Sequence, residues 1–275
     1  MSFAKAKIAD FYNRKRQDFD WLLAQGDLII HHHEGLLDQA RFEQYGKLTA
    51  DKEILPVIHQ LETELTEYGM SQITPQPNRQ SLGFDAGCGR GGSSIMIANK
   101  FGCKMIGLTL SDYQAETASK IVKEKGLADR VKFEIGDMTK TNFPDSNFDF
   151  IWAWGSTEHV ENLNEMFEEF ARITKPNGAL LIITWLRNDN HPKIEETALQ
   201  VNQAYVVSLH NQTDYRQAAK SNGWNLEKEV DHTEEVGRYW KLRERLSKGS
   251  GTESFMSEGF NSRALEYYFF RYCKQ

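Results

Sequence analysis

Residues 82–93 read Leu-Gly-Phe-Asp-Ala-Gly-Cys-Gly-Arg-Gly-Gly-Ser, an apolar run that passes into a glycine-rich turn and a helix start. Gly87, Gly89 and Gly92 fit the Gly-x-Gly-x-x-Gly spacing that lets a backbone approach a nucleotide closely. The surrounding charge argues against a dinucleotide. Asp85, at the end of the run, would crowd a pyrophosphate docked on the helix N-terminus but would attract a cation. The next apolar run ends Ile106-Gly107-Leu108-Thr109-Leu110-Ser111, without the acid that takes the ribose of NAD about 20 residues on. Thr109 and Gln114 could hold ribose hydroxyls instead. S-adenosylmethionine, a nucleoside with an ammonium and a sulfonium, suits such a turn. Gly136-Asp137-Met138 follows the third run, where a carboxylate and an apolar side chain could take an adenine amino group and ring face.

Three other stretches carry reactive side chains. His31, His32 and His33 stand in succession before Glu34. Neighbouring side chains diverge by about 100° on a helix or alternate on a strand, so the three imidazoles cannot all reach one metal ion. The plainer reading is one buried, hydrogen-bonded histidine with the others covering a loop. Trp154-Gly155-Ser156-Thr157-Glu158-His159 closes the fourth apolar run. Tyr239-Trp240-Lys241-Leu242-Arg243 lies near the C-terminus, where the rings could equally pack a core.

The elements that must position these groups alternate. Strands are predicted over 81–85, 103–109, 131–135, 148–154 and 179–185, helices near 92–100, 111–126 and 162–174, and a final strand over 265–272. Such βαβ units imply an α/β fold, a Rossmann-like, mostly parallel sheet with helices on both faces. Ahead of it, Phe3, Ile8, Phe11, Tyr12, Phe19, Leu22 and Leu23 recur at helical steps, predicting one amphipathic helix from 1 to about 25 that packs as a cap or lid. A second helix is expected after Thr49 as its cap, with Ile54, Ile58, Leu61, Leu65 and Tyr68 on one stripe and its end at Gly69. Residues 71–80, with Pro75 and Pro77, read as a linker. The expected organisation is an N-terminal helical cap over 1–79 and a core over 80–275, with an acceptor-site insertion at about 187–230.

Taken together, Asp-Ala-Gly-Cys-Gly-Arg-Gly-Gly, Gly-Leu-Thr-Leu-Ser and Gly-Asp-Met resemble the class I S-adenosylmethionine-dependent methyltransferases, over residues 80–186. Gly107–Ser111 with Gln114 is similar to the branch that methylates alkenes. The His-His-His-x-Gly segment at 31–35, Tyr-Trp-x-Leu-Arg at 239–243, and Asn202 and His210 extend the resemblance to the prenyl (geranyl and farnesyl) diphosphate C-methyltransferases over nearly the whole chain. The resemblance implies that Asp85, Gly87, Cys88 and Gly89 hold the methionine part of the cofactor, Thr109, Leu110 and Gln114 the ribose, and Asp137 and Met138 the adenine, with Trp154 beside the methyl donor. It also implies a small-molecule prenyl diphosphate as acceptor and Mg²⁺ with the diphosphate, since the metal takes one or two protein carboxylates. Glu34, where the family usually has Tyr, and Asp20, where it has Asn, are the candidate Mg²⁺ ligands. Glu62 and Glu64 are further acids, and Arg41, Lys47, Arg238 and Arg243 are available bases.

Alkene methylation leaves a tertiary carbocation, which calls for a dry pocket with ring faces worth about 2 kcal/mol or more each. Trp21, Tyr45, Trp152, Trp154, Tyr239 and Trp240 are the candidates, with His33 expected in the acceptor pocket. One departure stands out: the geranyl enzymes carry Asn-Glu-Ser-Thr after the fourth strand, its Glu the proton acceptor, and here Gly155 takes that place. Either Glu158 or His159, one turn on, then accepts the proton, or a further double bond of a longer chain captures the cation. The second course favours farnesyl diphosphate with cyclisation, geranyl next. Readings left alongside are a sterol or acyl-chain alkene as acceptor, and a non-catalytic S-adenosylmethionine-binding protein.

Composition narrows the field. The 275 residues carry 39 Asp plus Glu against 33 Lys plus Arg, a net charge of −6 with no basic block, so nucleic acid is not an expected partner. No run approaches the roughly 20 apolar residues of a membrane span, so no stable membrane insertion is expected. With no signal-peptide pattern and 3 scattered cysteines, a cytoplasmic protein is expected. A homo-oligomer is left open. Six Trp, 10 Tyr and 16 Phe supply aromatic surface for both a core and a pocket.

Overall fold

The computed structural model describes residues 3–15 and 25–275. Among them a seven-stranded sheet runs in the order β3-β2-β1-β4-β5-β7-β6. The strands are β1 (Leu82–Ala86), β2 (Lys104–Thr109), β3 (Val131–Ile135), β4 (Phe148–Trp154), β5 (Thr174–Arg187), β6 (Trp224–Asp231) and β7 (Leu265–Lys274). β1 to β5 pair in parallel, whereas β7 lies antiparallel between β5 and β6. The order reverses between β1 and β4, and open α/β sheets bind ligands at the carboxyl ends of strands at such a switch. Asp85 pairs with Gly107 on one side and Trp152 on the other, so the ends of β2, β1 and β4 lie side by side.

Both faces are covered. In β4 the period of two sends Phe150, Trp152 and Trp154 into one hydrophobic cluster and Ile151 and Ala153 into the other. The first cluster takes the stripe Ile54, Ile58, Leu61 and Leu65 from a helix over Asp51–Ser71. The second takes Met166, Phe167 and Phe170 from a helix over Leu163–Ile173.

Several expectations need correction. The N-terminal helix runs Phe3–Arg14, and Phe19, Leu22 and Leu23 lie outside the described residues. The second helix is preceded by Ala50 rather than capped by Thr49. Glu53 accepts from the Ala50 N–H at 3.3 Å, which does the capping work from inside the first turn. That helix also continues past Gly69 to Ser71. Gly69 serves packing: a Cβ there would stand 2.4 Å from ring carbons of both Trp152 and Trp154. Gly69→Ala should therefore destabilise the protein by about 1–3 kcal/mol, although Ala in a helix interior is ordinarily favoured over Gly by about 1 kcal/mol. Urea unfolding gives the sign. The region 187–230 forms helices Ile194–Tyr205 and Gln212–Ser221 and then β6, an edge strand of the sheet itself.

Candidate functional site

The turn after β1 is held by backbone. Gly87 and Cys88 both donate their N–H to the Leu108 carbonyl, at 3.0 and 2.8 Å, which ties the turn to β2. Gly87 has φ +84°, and a Cβ on it would fall 2.4 Å from the Ser156 Cβ. Only glycine fits there. Asp85 is 2% exposed and accepts from the Ser94 hydroxyl at 2.6 Å; burial pushes its carboxyl up to about 7. At the end of β2 the Thr109 hydroxyl donates to Gln114 Oε1 at 2.6 Å, and both side chains are buried. Burial would raise Asp137, but the Lys5 ammonium and the Thr139 N–H and hydroxyl outweigh it and hold the carboxyl below its usual range.

Asp85, Gly87, Cys88, Gly89, Thr109, Leu110, Gln114, Asp137, Met138 and Trp154 all line one cavity of about 460 Å³. Its roof is the N-terminal helix, through Ala4, Lys5, Ile8 and Tyr12. The size suits a nucleoside ligand, and a buried carboxylate on a narrow backbone turn suits a ligand ammonium.

A second cavity of about 80 Å³ adjoins it. Tyr12, His31, His32, His33, Gly155 and His159 line both, so they form the junction. Trp185, Tyr205 and Trp240 supply rings to the second cavity, Lys15 and Arg243 cations, and Glu34, Glu62 and Glu158 carboxyls. Burial raises all three acids, Glu62 and Glu158 to about 8. Each has a donor: Trp185 Nε1–H to Glu34 at 2.8 Å, the Tyr239 hydroxyl to Glu62 at 2.6 Å, and the Thr184 hydroxyl to Glu158 at 3.1 Å. Glu62 Oε2, Trp240 Nε1 and Arg243 Nε have no hydrogen-bond partner among the described residues. Buried polar atoms in that state are open to a polar ligand or ordered water.

His33 and His159 are hydrogen-bonded at both ring nitrogens. His33 donates from Nδ1 to the Glu34 carbonyl at 2.7 Å, leaving Nε2 to accept from Thr66 or His31. His159 donates from Nδ1 to the Val206 carbonyl at 3.0 Å and accepts from the Tyr12 hydroxyl at 2.9 Å. Burial lowers both to about 4, so they are neutral at pH 7. Among the described residues no group of three His, Cys, Asp or Glu is placed to hold a metal ion.

The ring candidates divide. Trp154 lines the first cavity and Trp240 the second. Trp152 is fully buried, stacked on Trp154 at 4.1 Å, and lines neither. Tyr239 also lines neither; it is packed in the core with its hydroxyl on Glu62. Tyr45 lies beside Arg41, which is paired with Glu64 at 2.6 Å, and Arg238 donates to the Leu37 carbonyl. Of the two proposed Mg²⁺ ligands, Glu34 faces the second cavity, whereas Asp20, like Trp21, lies outside the described residues. Sequence reasoning missed Trp185, Tyr205, Lys5 and Lys15. Trp185 was findable, because it lies near the carboxyl end of β5, which pairs in parallel with β4.

The chain is similar to known methyltransferases. A family model for a methyltransferase domain matches residues 84–182. The chain is 30% identical over 268 residues to a geranyl diphosphate 2-C-methyltransferase of Saccharopolyspora erythraea, covering 97% of this chain and 93% of that one. Among solved structures, a geranyl diphosphate methyltransferase in complex with GPP and sinefungin superposes with a TM-score of 0.90 at 27% identity, covering 99% of this chain and 100% of the other. The geranyl diphosphate C-methyltransferase of Streptomyces coelicolor, bound to Mg²⁺, geranyl-S-thiolodiphosphate and S-adenosyl-L-homocysteine, gives 0.91 at 26% identity over 100% and 99% of the two chains. No helix among the described residues is long and apolar enough to cross a membrane. The chain belongs to the geranyl diphosphate C-methyltransferase family of S-adenosylmethionine-dependent methyltransferases.

Proposed function

We propose that this protein methylates an alkene carbon of a prenyl diphosphate, with S-adenosylmethionine in the larger cavity and the reacting alkene at its junction with the smaller. The observation that carries the reading is the junction: six residues line both cavities, so the two ligands meet there without passing through solvent. S-adenosylmethionine supplies an electrophilic methyl. Asp85, Gly87, Cys88 and Gly89 hold its amino-acid end, Thr109, Leu110 and Gln114 the ribose, and Asp137 and Met138 the adenine. Trp154, ending β4 at the first cavity, flanks the methyl. The alkene π pair would attack that methyl as its bond to sulfur breaks, with S-adenosylhomocysteine as the leaving group and the positive charge left on the neighbouring alkene carbon. Trp185, Tyr205 and Trp240 turn rings toward that charge and keep water away.

Lys15 and Arg243 favour the diphosphate, and Mg²⁺ would arrive with it. The second cavity offers Glu34 and Glu62 rather than a complete protein cage, which fits a cation held largely by phosphate oxygens. Burial shifts both carboxyls toward the protonated form, and a nearby Mg²⁺ would favour the ionised one.

The finer reading is farnesyl diphosphate with ring closure, geranyl next. Gly155, where the relatives' proton acceptor would stand, has φ +64°, and a Cβ there would press to 3.2 Å on the His33 Cβ. Gly155 itself supplies no base there. Glu158, also on the second cavity, is then the residue left to take the proton once the cation has moved along the chain. Incubation with dimethylallyl, geranyl and farnesyl diphosphates, with mass spectrometry after phosphatase treatment, tests this. A methylated cyclic product from farnesyl diphosphate is expected; acyclic products alone would refute ring closure, and no methylated prenyl product would refute the acceptor class.

A further inference from the structure

Arg90 sits on the cofactor turn yet lines neither cavity. It is 1% exposed, with its guanidinium over the Tyr113 ring at 5.5 Å. Nη1 donates to His32 Nε2 at 3.2 Å and Nη2 donates to the Lys15 carbonyl at 2.9 Å. Both recipients belong to the acceptor side: Lys15 lines the second cavity and His32 lines both. The other end of the arginine is fixed just as firmly. Gly87 and Cys88 are tied to Leu108, the Gly91 N–H returns to the Cys88 carbonyl at 2.9 Å, and a Cβ on Gly91 would meet the Phe133 ring at 2.3 Å. The turn therefore has little room to move except as a unit. Because a guanidinium only donates, the bond to His32 also fixes that ring as the Nδ1–H tautomer.

We propose that Arg90 is a positioning residue that couples the two cavities: cofactor binding settles the 87–91 turn, and through Arg90 sets His32 and Lys15 in the wall of the acceptor cavity. The fork of a guanidinium suits this task, since one rigid group spans two acceptors on separate segments. The consequence is a preferred order, cofactor before acceptor, and by linkage an equal effect of acceptor on cofactor affinity.

The proposal rests on the prenyl diphosphate reading only for its acceptor, and the test separates the two. Geranyl and farnesyl diphosphates with Mg²⁺ are titrated calorimetrically into the protein with and without saturating S-adenosylhomocysteine. In the unaltered protein S-adenosylhomocysteine should tighten prenyl diphosphate binding by about fivefold or more. In Arg90→Gln that ratio should fall to about one, while affinity for S-adenosylhomocysteine alone changes by less than about threefold, because Arg90 does not line the larger cavity. Arg90→Lys, with a single ammonium for two acceptors, should fall between. His32→Ala cuts the same bond from the other side and should also abolish the ratio, which guards against a variant that fails to fold. An unchanged ratio in Arg90→Gln, no ratio in the unaltered protein, or an equal loss of affinity for both ligands would overturn the coupling. If neither prenyl diphosphate binds the unaltered protein, the acceptor reading fails instead. Hydrogen exchange of residues 30–33 then decides: S-adenosylhomocysteine should protect them in the unaltered protein and much less in Arg90→Gln, and equal protection would overturn the coupling.

Discussion

Asp85→Asn should weaken S-adenosylhomocysteine binding by about 30- to 100-fold at pH 8, because a buried charge-assisted hydrogen bond is worth about 2–3 kcal/mol. S-adenosylhomocysteine is the useful probe, since it keeps the ammonium and is not consumed. Asn can still accept from the Ser94 hydroxyl, now 2.6 Å from Asp85, so the turn should hold its shape. The pH dependence separates charge from shape. Burial lifts the Asp85 carboxyl to about 7, so below that pH the free protein carries a neutral acid that offers an ammonium little. Affinity should rise about tenfold between pH 6 and pH 8 in the unaltered protein, and Asp85→Asn should remove that slope. Stability should move the other way. With a folded-state pKa above the unfolded one, the ligand-free protein keeps a proton that the unfolded chain has released, and it loses stability as pH rises toward 7. Asp85→Asn is free of that loss, so at pH 8 its ligand-free melting temperature should equal or exceed that of the unaltered protein. A variant that binds within twofold of the original, or an affinity flat with pH, would show that Asp85 does not meet the ammonium.

Asp85, Thr109, Asp137 and Trp154 were readable from the chain because of where parallel strands end. Once apolar runs alternate with helical ones, the residues at or just beyond the carboxyl ends of β1, β2, β3 and β4 must converge on one edge, whatever fills the rest of the sheet. What periodicity could not resolve was depth. Trp152 and Trp154 share a face of β4, and only the helix crossing at Gly69 leaves the first fully buried while the second, at the strand's end, reaches the cavity. β6 escaped for a different reason. Its sequence, Trp-Asn-Leu-Glu-Lys-Glu-Val-Asp, is that of an edge strand, where charge is tolerated and guards against further pairing. The roof was the least legible part. Lys5 to Asp137, Tyr12 to His159 and Asn13 to Ser111 join residues about a hundred or more apart, and a helical stripe says which face is buried without saying on what. Arg90 was hidden by its company: among so many glycines it reads as part of a turn, and only its reach to His32 and Lys15 gives it a separate meaning.

Glu158→Gln should lower turnover by about 10²-fold or more, the scale of a lost general base, with binding of S-adenosylhomocysteine within about twofold, since Glu158 lines the second cavity and not the first. The substitution is close to isosteric, and the amide oxygen can still accept from the Thr184 hydroxyl, so packing around Tyr215 and Thr157 should persist. What changes is the ability to take a proton. Burial first, and then the neighbouring Glu34, raise the Glu158 carboxyl to about 8, so only a minority is ionised at pH 7. Turnover in the unaltered protein should therefore climb through pH 7 and level off above about 8, and the residual turnover of Glu158→Gln should lack that rise. His159 is the rival acceptor. Lowered to about 4 and bonded at both ring nitrogens, it would give a profile flat from pH 6 to pH 9. The products add a second readout. A cation whose final proton has no acceptor lives longer and should be captured by water, so the ratio of methylated alcohol to methylated alkene should rise in Glu158→Gln. Unchanged turnover together with a flat pH profile would remove Glu158 from the reaction and leave the junction histidines as the groups to test next.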